Sequence, residues 1–311
     1  MLLQIRGSDM IERMSMETKN QKKSKEDRKR EFQFSAAGRL LRNPSGVIGL
    51  IIVTAFLFIA VFSKSLTPYD PIKNYPKERL QPPSAAHIAG TDEMGRDCWS
   101  RLMSGATNSI SIAVVSVAFA GIFGTILGAV SGYFGGALDN VIMRLMDLIF
   151  SFPSMLLALT ISAALGTGFT NTVMAIGIVY LPIFARTARG SVLQIREMEY
   201  VEAARCIGCT DGRIIFRQIM PNAVAPLIVQ VSLGFSWAIL TESSLSYLGL
   251  GTQPPQPSWG SMLSQARVMM ELAPWLMIGP GVVIMLAVLG FNLLGDAVRD
   301  LIDPRLRSKG L

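Results

Sequence analysis

His87, the only histidine of the chain, is followed closely by Asp92, Glu93, Asp97 and Cys98. Imidazole, carboxylate and thiolate are ligands for a transition metal such as nickel. One histidine leaves little for a histidine-based site, and Asp92, Arg96 and Asp97 also have a structural use, as charge-assisted hydrogen bonds that tie a loop together. Cys206 and Cys209 form a CxxC pair, which in a soluble cytosolic protein points to redox or metal chemistry. Two thiolates alone cannot complete a tetrahedral site, so the pair reads as small buried hydrophobes, and no metal site is expected. Glu242 closes an apolar run, and an ionisable residue at such a depth is a functional candidate by default; a bond to the SSLSYLGLG turn after it is the structural alternative. The sequence has no GxxxxGK[ST] phosphate loop and no Ser/His or Asp/Asp pair spaced for intramembrane catalysis, Glu242 and Asp296 being isolated near opposite ends. No catalytic residue and no ATP site are therefore expected.

The elements that would position these residues follow from composition. Of 311 residues, 50% are hydrophobic and 16% charged, with a mean hydropathy of +0.41. That apolar content excludes a disordered or collagen-like chain, and three cysteines cannot build a disulfide framework. A spanning helix needs about 20 apolar residues. Stretches free of charge run over 43–63, 102–138, 148–185, 218–241 and 272–295. The third is too long for one span, and Gly166, Thr167 and Gly168 divide it. Six spans result, with a basic N-terminal tail (1–42), a first span (43–63), a loop (64–101), a core holding spans two to six (102–296) and a C-terminal tail (297–311).

Lys and Arg set the orientation. Eleven fall in 1–42, one at Arg144, six in 186–217 and four in 299–309, together 22 of the 29. Both termini are therefore expected in the cytoplasm. The excess of +7 is then what insertion requires, and nucleic acid is not an expected partner. The run QKKSKEDRKR reads as a flank near anionic lipid, and the first sixteen residues as poorly ordered unless a partner covers them.

Between the fourth and fifth spans lies REMEYVEAARCIGCTDGRIIFRQIMPN, residues 196–222. Tyr200, Ala203, Ala204, Ile207, Ile214 and Ile215 can group at helical spacing while Glu199, Glu202, Arg205, Arg213 and Arg217 stay polar. Gly208 breaks the helix or lets a partner's backbone approach, and Pro221 marks the next boundary. Such an amphipathic segment can rest in the headgroup layer or dock a soluble partner. Glu202-Ala203-Ala204, three residues, Gly208, and Pro221 thirteen positions later resemble the EAA loop of the membrane subunits of binding-protein-dependent ABC importers. HIAGTDEMGRDCWSRLMSGA (87–106), DLIFSFPSMLLAL (147–159), ESSLSYLGLGTQPPQPSWGSML (242–263) and PWLMIGPGVVIMLAVLGFNLLGDAVRDLIDPRLR (274–307) resemble the dipeptide, oligopeptide and nickel branch, and the GTDxxGRD and terminal DPR elements its C-type permease. Gln218, Met220 and Ile88-Ala89 depart from the common pattern.

The resemblance implies an all-α polytopic membrane protein, a type I ABC importer transmembrane domain with a cytoplasmic EAA coupling helix in the loop 186–221, in a bacterial or archaeal cytoplasmic membrane. It implies half of a path for di- or oligopeptides, with nickel, metallophores or glutathione-like solutes as alternatives. It implies as partners a second homologous permease, two ABC ATPase subunits that use ATP and Mg, and an extracytoplasmic substrate-binding protein; this chain binds no cofactor. Glu199, Glu202, Ala203, Ala204, Gly208 and Pro221 would couple to the ATPases; Gly90, Thr91, Asp92, Gly95, Arg96, Asp97 and Glu242 would form the outer loop and gate. An intramembrane enzyme and a lone ion-driven carrier are disfavoured, since neither a catalytic constellation nor inverted repeats with buried coupling carboxylates are seen. A path for peptides must be wetted, so Ser109, Ser111, Ser116, Thr160, Ser162 and Ser236 are expected to line it. Spans two to five, with small residues such as Gly124, Gly128, Gly132, Ala163, Ala164 and Gly177, are expected to face the partner permease.

Overall fold

The computed structural model describes residues 43–302, so both tail assignments fall wholly or largely outside the described residues. Among these, helices account for the regular structure apart from one isolated antiparallel bridge between Thr91 and Asp97. In chain order they are α1 (Pro44–Leu66), α2 (Cys98–Phe134), α3 (Gly136–Phe150), α4 (Ser154–Leu165), α5 (Phe169–Arg196), α6 (Glu199–Cys206), α7 (Asp211–Ile214), α8 (Met220–Tyr247), α9 (Trp259–Ala266) and α10 (Trp275–Ile302). Helices α1, α2, α5 and α10, and α8 together with the segment from Asp211 leading into it, are each long and apolar enough to cross a membrane.

Asn43 caps α1 by accepting a hydrogen bond from Ser45 N at 3.1 Å, and Pro44 sits at the start, where a missing N–H costs nothing. At 1.5 Å per residue its length reaches about 34 Å, sufficient for a hydrocarbon core of about 30 Å. It packs on α2 and α10 and turns Ile48, Ile51, Phe58 and Val61 outward. Gly49 makes the approach to α10 possible, since a Cβ there would lie 2.6 Å from Leu294 N.

Helix α2 begins four residues before the charge-free run, because Asp97 caps it through Ser100 N at 2.8 Å. Arg101 thus belongs to its first turn and is buried. Gly124, Gly128 and Gly132 lie four apart and face α5; a Cβ on Gly128 would overlap the Ala185 carbonyl oxygen. Small residues permit such backbone approach, but here it is spent within the chain. The expectation that these glycines face a partner permease is corrected accordingly, and Gly177 likewise lies against Phe119. Ala163 and Ala164 remain exposed.

The third span differs most from the sequence reading. It starts at Gly136, not near Leu148, and carries Asp139, Arg144 and Asp147 on helix α3. Two of these charges are tolerated because α5 answers them: Arg189 Nη2 meets Asp139 Oδ2 at 2.6 Å and Arg186 Nη2 meets Asp147 Oδ1 at 2.8 Å. Pro153 lacks an N–H and disfavours a helical residue before it, so the chain breaks at 151–153 and α4 leaves α3 at 92°. Ile112, Ile176, Phe184, Ile239 and Trp259 join α2, α5, α8 and α9 in the central core. The 64–97 segment and α9 sit at one end of α2, and the 196–222 segment at the other.

Candidate functional site

At the Cys98 end of α2, the residues of GTDxxGRD form a clasp. Asp92 Oδ1 accepts from the backbone N–H of Met94 and of Arg96, each at 2.9 Å, while Oδ2 accepts from Arg96 Nε at 2.7 Å and faces Arg101 Nε at 3.5 Å. Gln265 of α9 accepts from Arg101 Nη2 at 3.1 Å and from Arg96 Nη2 at 3.4 Å. One carboxylate therefore answers two buried guanidinium groups, and a distant amide accepts one further bond from each. Arg101 and Gln265 were not singled out from sequence; an arginine opening an otherwise charge-free helix is the signal that could have found the first. Thr91 bonds through its hydroxyl to Glu78 O and Gln81 N. Gly90 and Gly95 make the turns, and at Gly95, with φ of +77°, a Cβ would run into the Tyr75 backbone.

His87 belongs to this clasp. Its Nδ1 lies 2.9 Å from Asp97 Oδ1 and its Nε2 3.4 Å from Glu78 Oε2. Cys98 faces Ala266, Ala273 and Leu276 instead, so thiol and imidazole do not converge. Cys206 is exposed and Cys209 half-buried, which corrects the reading of both as buried hydrophobes.

Glu242 is fully buried at the far end of α8. Its Oε1 accepts from Ser246 Oγ at 2.7 Å and its Oε2 from Ser243 Oγ at 3.5 Å. Both bonds to the carboxylate come from its own helix, α8. Ser258 caps α9 in a reciprocal arrangement with Ser261.

The serines expected along the path are mostly committed elsewhere. Ser109 Oγ accepts from Trp259 N at 3.3 Å, Ser162 donates to Leu250 O at 3.0 Å and Ser236 to Val288 O at 3.3 Å. Ser116 is enclosed with no partner among the described residues. These four are buried inside the chain, which removes them from any surface that a solute could touch here. Ser111 is half-buried and Thr160 exposed. Hydroxyls in apolar helices satisfy themselves on nearby carbonyls, so composition alone does not place them on a path.

At the opposite end, α6 opens with Glu199 and Glu202 in its first turn, where the helix dipole favours negative charge. The six apolar residues grouped from sequence divide. Ala204 and Ile214 turn inward with Val201 against Ala129, Tyr133 and Val192, and Ile215 is half-buried. Tyr200, Ala203 and Ile207, spaced three and four apart, face outward with Glu202, and Ile207 is 80% exposed. Phe216 adds a ring that is 77% exposed. Gly208 turns the chain at φ of +79° with open space around it. The segment is tied to the end of α2: Tyr133 OH donates to Asp211 Oδ1 at 2.6 Å, Arg205 lies 5.4 Å from the Tyr133 ring centre, and Arg196 Nη1 donates to Gly132 O at 2.8 Å. Just before Pro221 the helix widens into a π turn, Ile215–Ile219, a rare form that occurs mostly as a single turn within an α-helix.

Residues 124–308 match the family described as "Binding-protein-dependent transport system inner membrane component", and residues 35–83 the "N-terminal TM domain of oligopeptide transport permease C". The dipeptide transport system permease protein DppC of Alkalihalophilus pseudofirmus is 47% identical over 87% of this chain and 89% of its own length. The glutathione transport system permease protein GsiD of Pectobacterium atrosepticum is 42% identical over 87% and 90%. Among solved structures, an inward-facing form of the MetNI methionine ABC transporter superposes with a TM-score of 0.52 at 16% identity, over 64% of this chain and 94% of that one, a likeness of fold.

Proposed function

The chain belongs to the binding-protein-dependent transport system inner membrane components, and from that premise we propose that it forms half of a peptide path driven by ATPase subunits on the side where α6 lies. As a permease subunit of an ABC importer it needs an energy source, and we assign ATP and Mg to partner chains. One observation carries this reading. Tyr200 and Ala203 on a short helix, and Ile207 just past its end, are held outward while the other face of the helix is packed, so an apolar stripe beside an acidic residue awaits a protein partner. The bonds from this segment to Gly132 and Tyr133 give partner motion a rigid route into α2. A second, homologous permease would complete the path, and an extracytoplasmic capture protein would deliver to the end formed by the clasp. Di- or oligopeptides are the favoured cargo because relatives of this similarity carry that name; the likeness to a glutathione permease supports a glutathione-like solute as the second reading.

The test is the complete complex in lipid, with its capture protein. A dipeptide is expected to raise ATP hydrolysis several-fold over the unliganded rate, whereas glutathione alone doing so would move the cargo to the second reading. Orientation is tested separately. In a background where Cys98, Cys206 and Cys209 are replaced, Lys77→Cys and Gln256→Cys should react with an impermeant thiol reagent applied outside, and Asp211→Cys should not. The reverse pattern would place the termini outside.

A further inference from the structure

The break between α3 and α4 opens a cavity of about 410 Å³ against α5 and α8, within the range of small-molecule sites. Gln230, Gly234, Trp237, Thr241 and Ser244 present one stripe of α8 to it, at spacings of three and four, and Phe150 and Ser154 flank the break. Trp237 is 58% exposed. Behind it, Tyr180 OH and Thr241 Oγ1 are bonded at 2.8 Å and fasten α5 to α8. No acid or base is among the lining residues; Arg186 sits over the ring of the lining Phe150 at 4.3 Å and is paired with Asp147.

Resting on the peptide-permease reading above, we propose that this cavity is the part of the path that touches the peptide, with the Trp237 indole receiving side chains and the Gln230 amide and Ser154 and Ser244 hydroxyls bonding backbone amides. Residues 151–153 are exposed and not helical, and irregular backbone inside a bilayer is tolerated only against protein or water, not lipid tails. The break lies beside the Ile183–Arg186 stretch of α5, about 20–25 Å along that helix from Phe169 and so within the hydrocarbon thickness. An amide both donates and accepts, matching a peptide bond of any sequence. A wall without fixed charge holds no class of side chain so tightly that release fails. The cavity thus supplies the wetted surface that the enclosed serines do not.

The full complex in lipid tests this in two ways. With wild-type complex, uptake of Ala-Ala, Ala-Asp, Ala-Lys and Ala-Phe sets the reference. Gln230→Glu should lower uptake of Ala-Asp relative to Ala-Lys by about fivefold, as a new negative charge in a half-buried wall acts on a passing one. Trp237→Ala should lower Ala-Phe relative to Ala-Ala. Independently, Ser244→Cys in the cysteine-free background should react with a water-soluble thiol reagent, and saturating Ala-Ala during turnover should slow that reaction. Unchanged uptake ratios in both variants, or a thiol that is inert because lipid or the partner permease fills the cavity, would overturn the proposal while leaving the peptide reading intact. Wild-type complex that takes up none of the four dipeptides would overturn the peptide reading itself; protection of the Ser244→Cys thiol by glutathione but not Ala-Ala would then reject a dipeptide as the occupant.

Discussion

Glu202→Lys is expected to leave the chain inserted in the membrane and to reduce uptake by the assembled transporter by tenfold or more, on the order of the loss when one central contact of a protein interface is reversed. Glu202 is exposed, next to the outward Ala203, so the change removes nothing from the packing of Val201, Ala204 and Ile214. The damage should fall on the partner contact. Gly208→Val should do the same by another route. Nothing lies within 4 Å of a Cβ there, so the cost inside the chain is the left-handed backbone, about 1–2 kcal/mol, while the turn that aims Ile207 is lost. Uptake and ATP hydrolysis measured together check this: both variants should hydrolyse ATP without stimulation by loaded capture protein. Wild-type uptake by Glu202→Lys would remove α6 from the coupling route.

Asp92→Ala should have the larger effect on the folded chain itself. It strands Arg96 and Arg101, which are 5% and 2% exposed at their side chains, and leaving a buried charge without its partner costs about 3–5 kcal/mol. It also frees the backbone N–H groups of Met94 and Arg96. The variant is expected to accumulate poorly and to aggregate at a clearly lower temperature in detergent. Asp92→Asn keeps one acceptor oxygen for those two N–H groups and should recover part of the loss. Equal thermal stability of Asp92→Ala and the parent chain would show that Gln265 and Pro71 O, which also accept from Arg101, suffice without the carboxylate.

The clasp, the segment 196–222 and the cavity are linked through one long helix and its neighbour α5. Helix α2 is 37 residues long, about 55 Å at the usual rise. At one end Arg101 enters the clasp, and at the other Gly132 and Tyr133 hold the segment 196–222. Between them its glycines lock it to α5, which lines the cavity through Tyr180 and Ile183. On the proposed coupling reading, a displacement of α6 would pass through the side-chain ties at Gly132 and Tyr133 into α2 and from there through the close α2–α5 backbone approach to the cavity wall.

Length, apolar content and local motifs were sufficient to determine the membrane class, the family and the positions of five spans, though α5, α8 and α10 run six to eleven residues beyond their charge-free stretches, because a bilayer demands long apolar helices and the family motifs are contiguous in sequence. The amphipathic segment 196–222 and the polar group around Asp92 were legible for the same reason. What sequence could not decide was which neighbour each residue meets. The charges on α3 become acceptable only where Arg186 and Arg189 stand across from them, and local composition cannot show that. Arg101 and Gln265 are 164 positions apart, so no periodicity links them. The glycines of α2 announce a close approach without naming the helix that makes it, and serines announce polarity without saying whether a carbonyl of the chain has already claimed it. The division of Tyr200, Ala203 and Ile207 from Ala204 and Ile214 depends on where the end of α2 lies. Helical period specifies a face, and only tertiary packing specifies what that face is turned toward.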